Sequence, residues 1–225
     1  MSSVLLAVVA LLILLVLYYF FFLGSRSSSR QACVLMVGPC GSGKTLLFHR
    51  FIDNCIAETV SSMQPNEARM PEKGPLLVDF PGHYRLRNTL PAELGRAKRI
   101  LFVFDASRAV DLAKPAAELL YSILATFHQK KHAPKILFLC NKSDKPAKTP
   151  QRVKLMMMNE IETLRKTANS IQSTDDINTI KIGQDGHFFN FDHHSPCAID
   201  FMAFSAISDD KDALDKVRHF IKSDD

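Results

Sequence analysis

Acidic side chains are missing from the first thirty residues, and between Val4 and Leu23 there is no charge of either sign. Glycine repeats, low-complexity tracts and internal repeats are also missing, which excludes collagenous, disordered and solenoid classes. No paired cysteine spacing occurs. The five cysteines (Cys33, Cys40, Cys55, Cys140, Cys197) are odd in number and imply reduced thiols rather than a disulfide framework. Removing Arg26 and Arg30 from the formal charge of +5 leaves +3 for the rest of the chain, spread along it. That is too little for a nucleic-acid surface or a polybasic lipid tail, so no direct nucleic-acid partner is expected. Lipidation signals are absent as well: position 2 is Ser rather than Gly, and Ile221–Asp225 contains no cysteine to prenylate.

What is present falls into two populations. Residues 4–23, VLLAVVALLILLVLYYFFFL, are twenty consecutive apolar or aromatic residues. As a helix they span roughly 30 Å, the thickness of a bilayer's hydrocarbon. A cleaved signal peptide fits less well. The run is too long, Met1-Ser2-Ser3 supplies no basic start, and Phe22-Leu23-Gly24 is a poor cleavage site. With Arg26 and Arg30 just after the run and no side-chain charge before it, the positive-inside rule faces the rest of the chain to the cytosol. The expected organisation is a short non-cytosolic N-terminus (1–3), a transmembrane helix (4–23), a flexible Gly/Ser linker (24–30) and a cytosolic domain (31–225). The remaining composition, with 23% charged and 47% hydrophobic residues over the whole chain, is that of one packed domain.

Five short, nearly continuous apolar runs follow: Ala32–Val37, Leu76–Phe80, Ile100–Phe104, Lys135–Cys140 and Ala198–Phe204. Such runs suit strands buried on both faces of a parallel sheet. Between them the spacing predicts helices over Lys44–Phe51, Arg85–Ala97, Ala109–Gln129, Pro150–Ala168 and Asp209–Lys222, with Thr149 capping the fourth. The alternation predicts an α/β fold, a mostly parallel central sheet flanked by helices, and the glycine-rich motif that follows makes it one of the P-loop type.

Gly38-Pro39-Cys40-Gly41-Ser42-Gly43-Lys44-Thr45 fits the phosphate loop G-x-x-x-x-G-K-[ST], placed between a predicted strand and helix. Its backbone N–H groups would surround a β-phosphate, Lys44 would reach the β- and γ-phosphates, and Thr45 would ligate Mg²⁺. The candidate contact set runs on to Leu46. Asp79-Phe80-Pro81-Gly82 gives D-x-x-G at a strand end, with Asp79 on the Mg²⁺ side and the Gly82 N–H toward the γ-phosphate. Asn141-Lys142-Ser143-Asp144 gives N-K-x-D. The Asp144 carboxylate can accept from the guanine ring N–H and exocyclic amine, a donor pair that adenine lacks. Lys142 would lie over the base, and Ser205-Ala206 could offer a backbone N–H to the guanine O6. Together the motifs imply GTP or GDP with Mg²⁺.

The pattern resembles a Ras/Arf-type small GTPase on a transmembrane helix, and more closely the family of signal recognition particle receptor beta subunits. The likeness runs along nearly the whole chain: the apolar span, the D-x-P-G-H form of Asp79–His83, and the long insertion between N-K-S-D and Ser205-Ala206. Within that insertion, Gly183–Phe191 looks like the family's glycine- and aromatic-containing stretch. The resemblance implies an endoplasmic reticulum anchor whose GTP state holds a peripheral alpha subunit through the switch regions (56–70 and 82–97). Signal recognition particle, ribosome and translocon are then engaged indirectly. Two departures stand. The switch I ligand falls within Thr59-Val60-Ser61-Ser62, with Ser61 favoured by position for Mg²⁺ and Thr59 open. His83 occupies the place where many small GTPases carry Gln, so it either orients the attacking water or contacts a partner, and slow hydrolysis is expected. The rival reading is a membrane-anchored, multiple-turnover GTPase switch in vesicle traffic.

Two lesser clusters read as structural. His187, His193, His194 and Cys197 lack zinc-ligand spacing and suit a solvated loop. Met156-Met157-Met158 suits core packing.

Overall fold

The central strands send alternate residues to opposite sides of one sheet. In the computed structural model, β1 (Cys33–Val37), β4 (Ala97–Asp105) and β5 (Lys135–Asn141) are almost wholly buried. Leu35, Val37, Ile100, Phe102, Phe104, Ile136 and Phe138 enter one core, whereas Val34, Met36, Leu101, Val103, Leu137 and Leu139 enter the other. Continuous apolar runs are therefore what both faces require. The residues described are 31–56, 58–60, 62–128, 130, 133–171 (backbone only for 168–171), 182–184 and 186–223. The predicted segments 1–3, 4–23 and 24–30 lie outside them, as does Ser61. Among the described residues no helix is long and apolar enough to cross a membrane.

The sheet has six strands in the order β2-β3-β1-β4-β5-β6, where β2 is Asn66–Arg69, β3 is Leu76–Asp79 and β6 is Ile199–Ala203. All neighbours are parallel except β2 and β3. The helices are α1 (Lys44–Ile52), α2 (Leu90–Leu94), α3 (Ala109–His128), α4 (Pro150–Ile171), α5 (Phe191–His194) and α6 (Lys211–Lys222). Leu47, Phe48 and Phe51 of α1 share a core with Leu214, Val217 and Ile221 of α6. Leu120 and Ile123 of α3 share the other with Val153, Met157 and Ile161 of α4. Thr149 caps α4, its Oγ1 accepting from Arg152 N at 3.4 Å.

Three expectations are corrected. The helix expected over Arg85–Ala97 is a 3-10 turn, Tyr84–Thr89, followed by the single turn α2. Strand β4 then begins at Ala97 rather than Ile100, since its charged start is accommodated: Arg96 pairs with Glu67 and Glu93, and Arg99 Nε donates to Ser223 O at 2.9 Å. Strand β2, Asn-Glu-Ala-Arg, was not expected at all; it lies at the sheet edge with alternating exposure and has no apolar run to betray it. The insertion before β6 is not a solvated loop throughout. Ile182, Phe189, Phe191 and Cys197 are buried in the α3–α4 core, and Phe191–His194 form a short helix.

Candidate nucleotide-binding site

Parallel strands deliver their carboxyl ends to one edge of the sheet, the usual place for a ligand in such folds. Strand β1 runs into Gly38, β3 ends at Asp79, β4 at Asp105, β5 at Asn141, and β6 leads to Ser205. The loop Gly38–Gly43 needs glycine where it turns. Gly38 has φ +150°, and a Cβ there would lie 2.0 Å from Val103 O. Lys44 is buried, and its Nζ donates to Gly38 O and Pro39 O, each at 2.9 Å, and to Ser42 Oγ at 3.5 Å. Burial holds its ammonium below the ordinary lysine range, against the opposing pull of Asp79.

Beside it, Thr45 Oγ1 donates to Asp79 Oδ2 at 2.7 Å and lies 3.2 Å from Ser62 Oγ. Asn66 Nδ2 also donates to Asp79 Oδ2, at 3.4 Å. The other carboxylate oxygen, Oδ1, is buried without a hydrogen-bond partner among the described residues. Burial pushes the Asp79 carboxyl above the ordinary range, although Thr45, Lys44 and Asn66 favour its charged form. An unsatisfied anionic oxygen next to two hydroxyls fits a hard cation that keeps some of its water. A cavity of about 90 Å³ opens here between the phosphate loop (Cys40, Gly41, Gly43, Lys44, Thr45), Thr59, Val60 and Ser62, and Asp79, Pro81 and Gly82. Of the switch I candidates, Thr59 and Ser62 line it, whereas Ser61 lies outside the described residues. Gly82 packs directly on the phosphate loop: a Cβ there would meet Gly38 O at 2.6 Å and Cys40 N at 2.7 Å.

A second cavity, of about 120 Å³, lies past Gly43 and is walled by Leu46, Asn141, Lys142, Asp144, Lys145, Ser205, Ala206 and Ile207. Asn141 fastens three segments: its Nδ2 donates to Ser42 O at 2.7 Å, and its Oδ1 accepts from Ala206 N at 2.9 Å. Lys142 Nζ donates to Gly41 O at 2.9 Å and to Asp105 Oδ2 at 2.6 Å. Ser205 Oγ donates to Asp144 Oδ1 at 2.5 Å, which fixes that carboxylate at the rim. Every described phosphate-loop, D-x-x-G, N-K-x-D and Ser205-Ala206 residue singled out from sequence thus sits at one edge.

The family model described as signal recognition particle receptor beta subunit matches residues 29–196. The chain belongs to this family. The signal recognition particle receptor subunit beta of Mus musculus is 34% identical over 192 residues, 81% of this chain and 71% of the mouse protein. A structure of the mammalian SRP receptor superposes with a TM-score of 0.72 at 31% identity, over 84% of this chain and 99% of that one. The Chaetomium thermophilum protein, solved as an SRb-GTP/SRX complex, has a TM-score of 0.66 at 21% identity over 84% of this chain and 98% of its own. Solved as SRb-GDP-Mg, it gives 0.63 at 23%, over 84% and 96%. These last two likenesses concern the fold.

Within this family frame, the catalytic candidate His83 is the residue least tied to the site. Its Nδ1 accepts from Arg85 N at 3.3 Å, its ring stacks on Tyr84 at 4.8 Å, and it does not line the phosphate cavity. Sequence reasoning missed Asn66 and Asp105, whose places come from strand pairing: Asn66 stands opposite Asp79, and Asp105 opposite Asn141. It also missed Lys145 and Ile207 at the rim of the second cavity. Among the described residues no three His, Cys, Asp or Glu side chains form a metal-binding group.

Proposed function

We propose that this chain is a GTP-binding receptor subunit, anchored in the endoplasmic reticulum membrane by residues 4–23, whose output is partner binding. In the GTP state it holds the peripheral alpha subunit of the signal recognition particle receptor, so that ribosomes bearing signal sequences reach the translocon. The observation that carries the nucleotide reading is the convergence at one edge of Lys44, Thr45, Asp79 and the Asn141–Asp144 motif, with Asp79 Oδ1 left open to a cation. Thr45 and Asp79, with a hydroxyl from the Thr59–Ser62 run, would hold Mg²⁺ and its waters. The ion would supply positive charge between the β- and γ-phosphates. Asp144, steadied by Ser205, would read the guanine edge.

What supports a partner surface is apolar exposure around the phosphate cavity. Val60, which lines the cavity, and Ile56, Met63 and Tyr84, which belong to the segments that lead to and from it, are each more than half exposed, as suits an interaction surface. Contacts to a γ-phosphate order loops of this kind, which would make the surface sensitive to the nucleotide. The relative solved as the mammalian SRP receptor supports the same partner. The anchor rests on the sequence alone, on twenty apolar residues without charge.

Hydrolysis is proposed to be slow, because His83 must leave its Arg85 N–H and approach the cavity before it can orient water. Detergent-solubilised chain loaded with GTP or GDP and used to recover alpha subunit tests the gating: recovery should depend on GTP, and equal recovery in both states overturns it. Single-turnover hydrolysis by His83→Ala, with and without partner, tests the catalytic role.

A further inference from the structure

We infer that Asp105 is a positioning residue for the nucleotide: it clamps Lys142 as a wall of the base pocket and thereby slows the departure of guanine nucleotide without touching it. This rests on the nucleotide-binding reading above.

Asp105 ends β4 and is only 2% exposed. The parallel register sets it opposite Asn141, so its carboxylate rises directly beside the base-reading loop. Its two oxygens are divided between different tasks. Oδ1 accepts from Ser107 N at 3.1 Å and Ser107 Oγ at 2.6 Å, closing the turn that follows the strand. Oδ2 accepts from Lys142 Nζ at 2.6 Å. The same ammonium donates to Gly41 O at 2.9 Å, so one charged group joins the end of β4, the phosphate loop and the base loop.

A lysine has a long, flexible stem, and an unanchored one would lose its rotamer freedom only when a base arrived. Held by the ammonium at one end and by a backbone at φ +63° at the other, the Lys142 stem is already fixed beside Gly43 and Asp144. The ordering is thus complete before binding, which is how preorganisation strengthens a complex. Burial alone would raise the Asp105 carboxyl, but the hydrogen bonds from Lys142 and Ser107 outweigh it and keep the group below the ordinary carboxylate range. The Asp105 side of the clamp is therefore held in its charged form. Losing Asp105 would free the stem and loosen the Gly41 carbonyl with it.

The division between the two oxygens supplies the test, which is release of fluorescently labelled GDP from the full chain in detergent. D105N should release it about ten- to a hundredfold faster, the loss expected for a charge-assisted hydrogen bond. K142M, altering a partly exposed side chain, should do the same and provides the measurement if D105N does not fold. The double variant should be no faster than the faster single one, because both remove one clamp. S107A, which disturbs only Oδ1, should stay close to wild type. Wild-type release by D105N, multiplying effects in the double variant, or S107A as fast as D105N would each overturn the inference. A wild-type chain that retains no GDP instead removes the nucleotide reading, and the clamp's purpose with it.

Discussion

Asn66 stands opposite Asp79 across the antiparallel β2–β3 pair, and its Nδ2 donates to Asp79 Oδ2 at 3.4 Å. The edge strand at the end of switch I is thereby tied to the carboxylate proposed for Mg²⁺. Asn66→Ala should leave the fold intact, since the edge position is half-exposed. It should reduce the Mg²⁺-dependent part of GTP affinity by about threefold, the worth of one long hydrogen bond. Dissociation rates with Mg²⁺ and with EDTA give that ratio directly, and an unchanged ratio would detach Asn66 from the metal corner.

Asn141 is 1% exposed and satisfies Ser42 O and Ala206 N at once. Asn141→Ala strands both, and buried groups left unpaired cost about 1–3 kcal/mol each. A loss of about 2–4 kcal/mol in urea unfolding is expected on that count. Asn141→Asp keeps the acceptor for Ala206 N and should recover part of it.

Gly82 has no room for a methyl group, because three phosphate-loop backbone atoms lie within 2.8 Å of the position a Cβ would take. Backbone cannot swing aside as a side-chain tip can, so Gly82→Ala must displace one loop or the other. Overpacking of this kind costs about 1–3 kcal/mol. The signature should be a lowered melting temperature together with weakened discrimination between GTP and GDP.

Arg165 is the staple of the insertion. Its guanidinium pairs with Glu162 at 2.7 Å and donates to Gln184 O at 2.7 Å and His187 O at 3.1 Å, while Glu162 also accepts from Phe189 N. Removing one partner from a buried pair costs about 3–5 kcal/mol. Arg165→Ala should show that loss and faster proteolysis near residues 182–190, with GDP release little changed because the staple lies apart from the base pocket.

The legible parts of this molecule were those encoded by neighbouring residues. Gly38–Thr45, Asp79–Gly82 and Asn141–Asp144 are contiguous, and each carries its chemistry in its own spacing. The apolar runs of β1, β3, β4 and β5 announced their strands because both of their faces are largely buried, whereas β6 is a half-exposed edge strand that its own apolar residues still betray. Asn66 and Asp105 were illegible because their roles arise from register, which no local pattern records. The charged approach to β4 misled for a related reason: besides the neighbouring Glu93, Arg96 pairs with Glu67 and Arg99 donates to Ser223 O, both far along the chain. In the insertion, the resemblance drew attention to Gly183–Phe191, but the burial of Phe189 and Phe191 follows from α3 and α4 arriving there from elsewhere.

The base pocket is assembled from three stretches of chain: the phosphate loop and start of α1, the segment after β5, and Ser205–Ile207. Chains emerge from the ribosome in order, so the phosphate loop is exposed long before its last wall exists. Asn141 cannot fill its acceptor until Ala206 has been made, and Asp144 has no hydroxyl to steady it until Ser205 has. Guanine recognition therefore waits until Ser205–Ile207 have been made. By then the apolar run 4–23 has long since left the exit tunnel, so in the proposed anchored form membrane insertion precedes nucleotide capture.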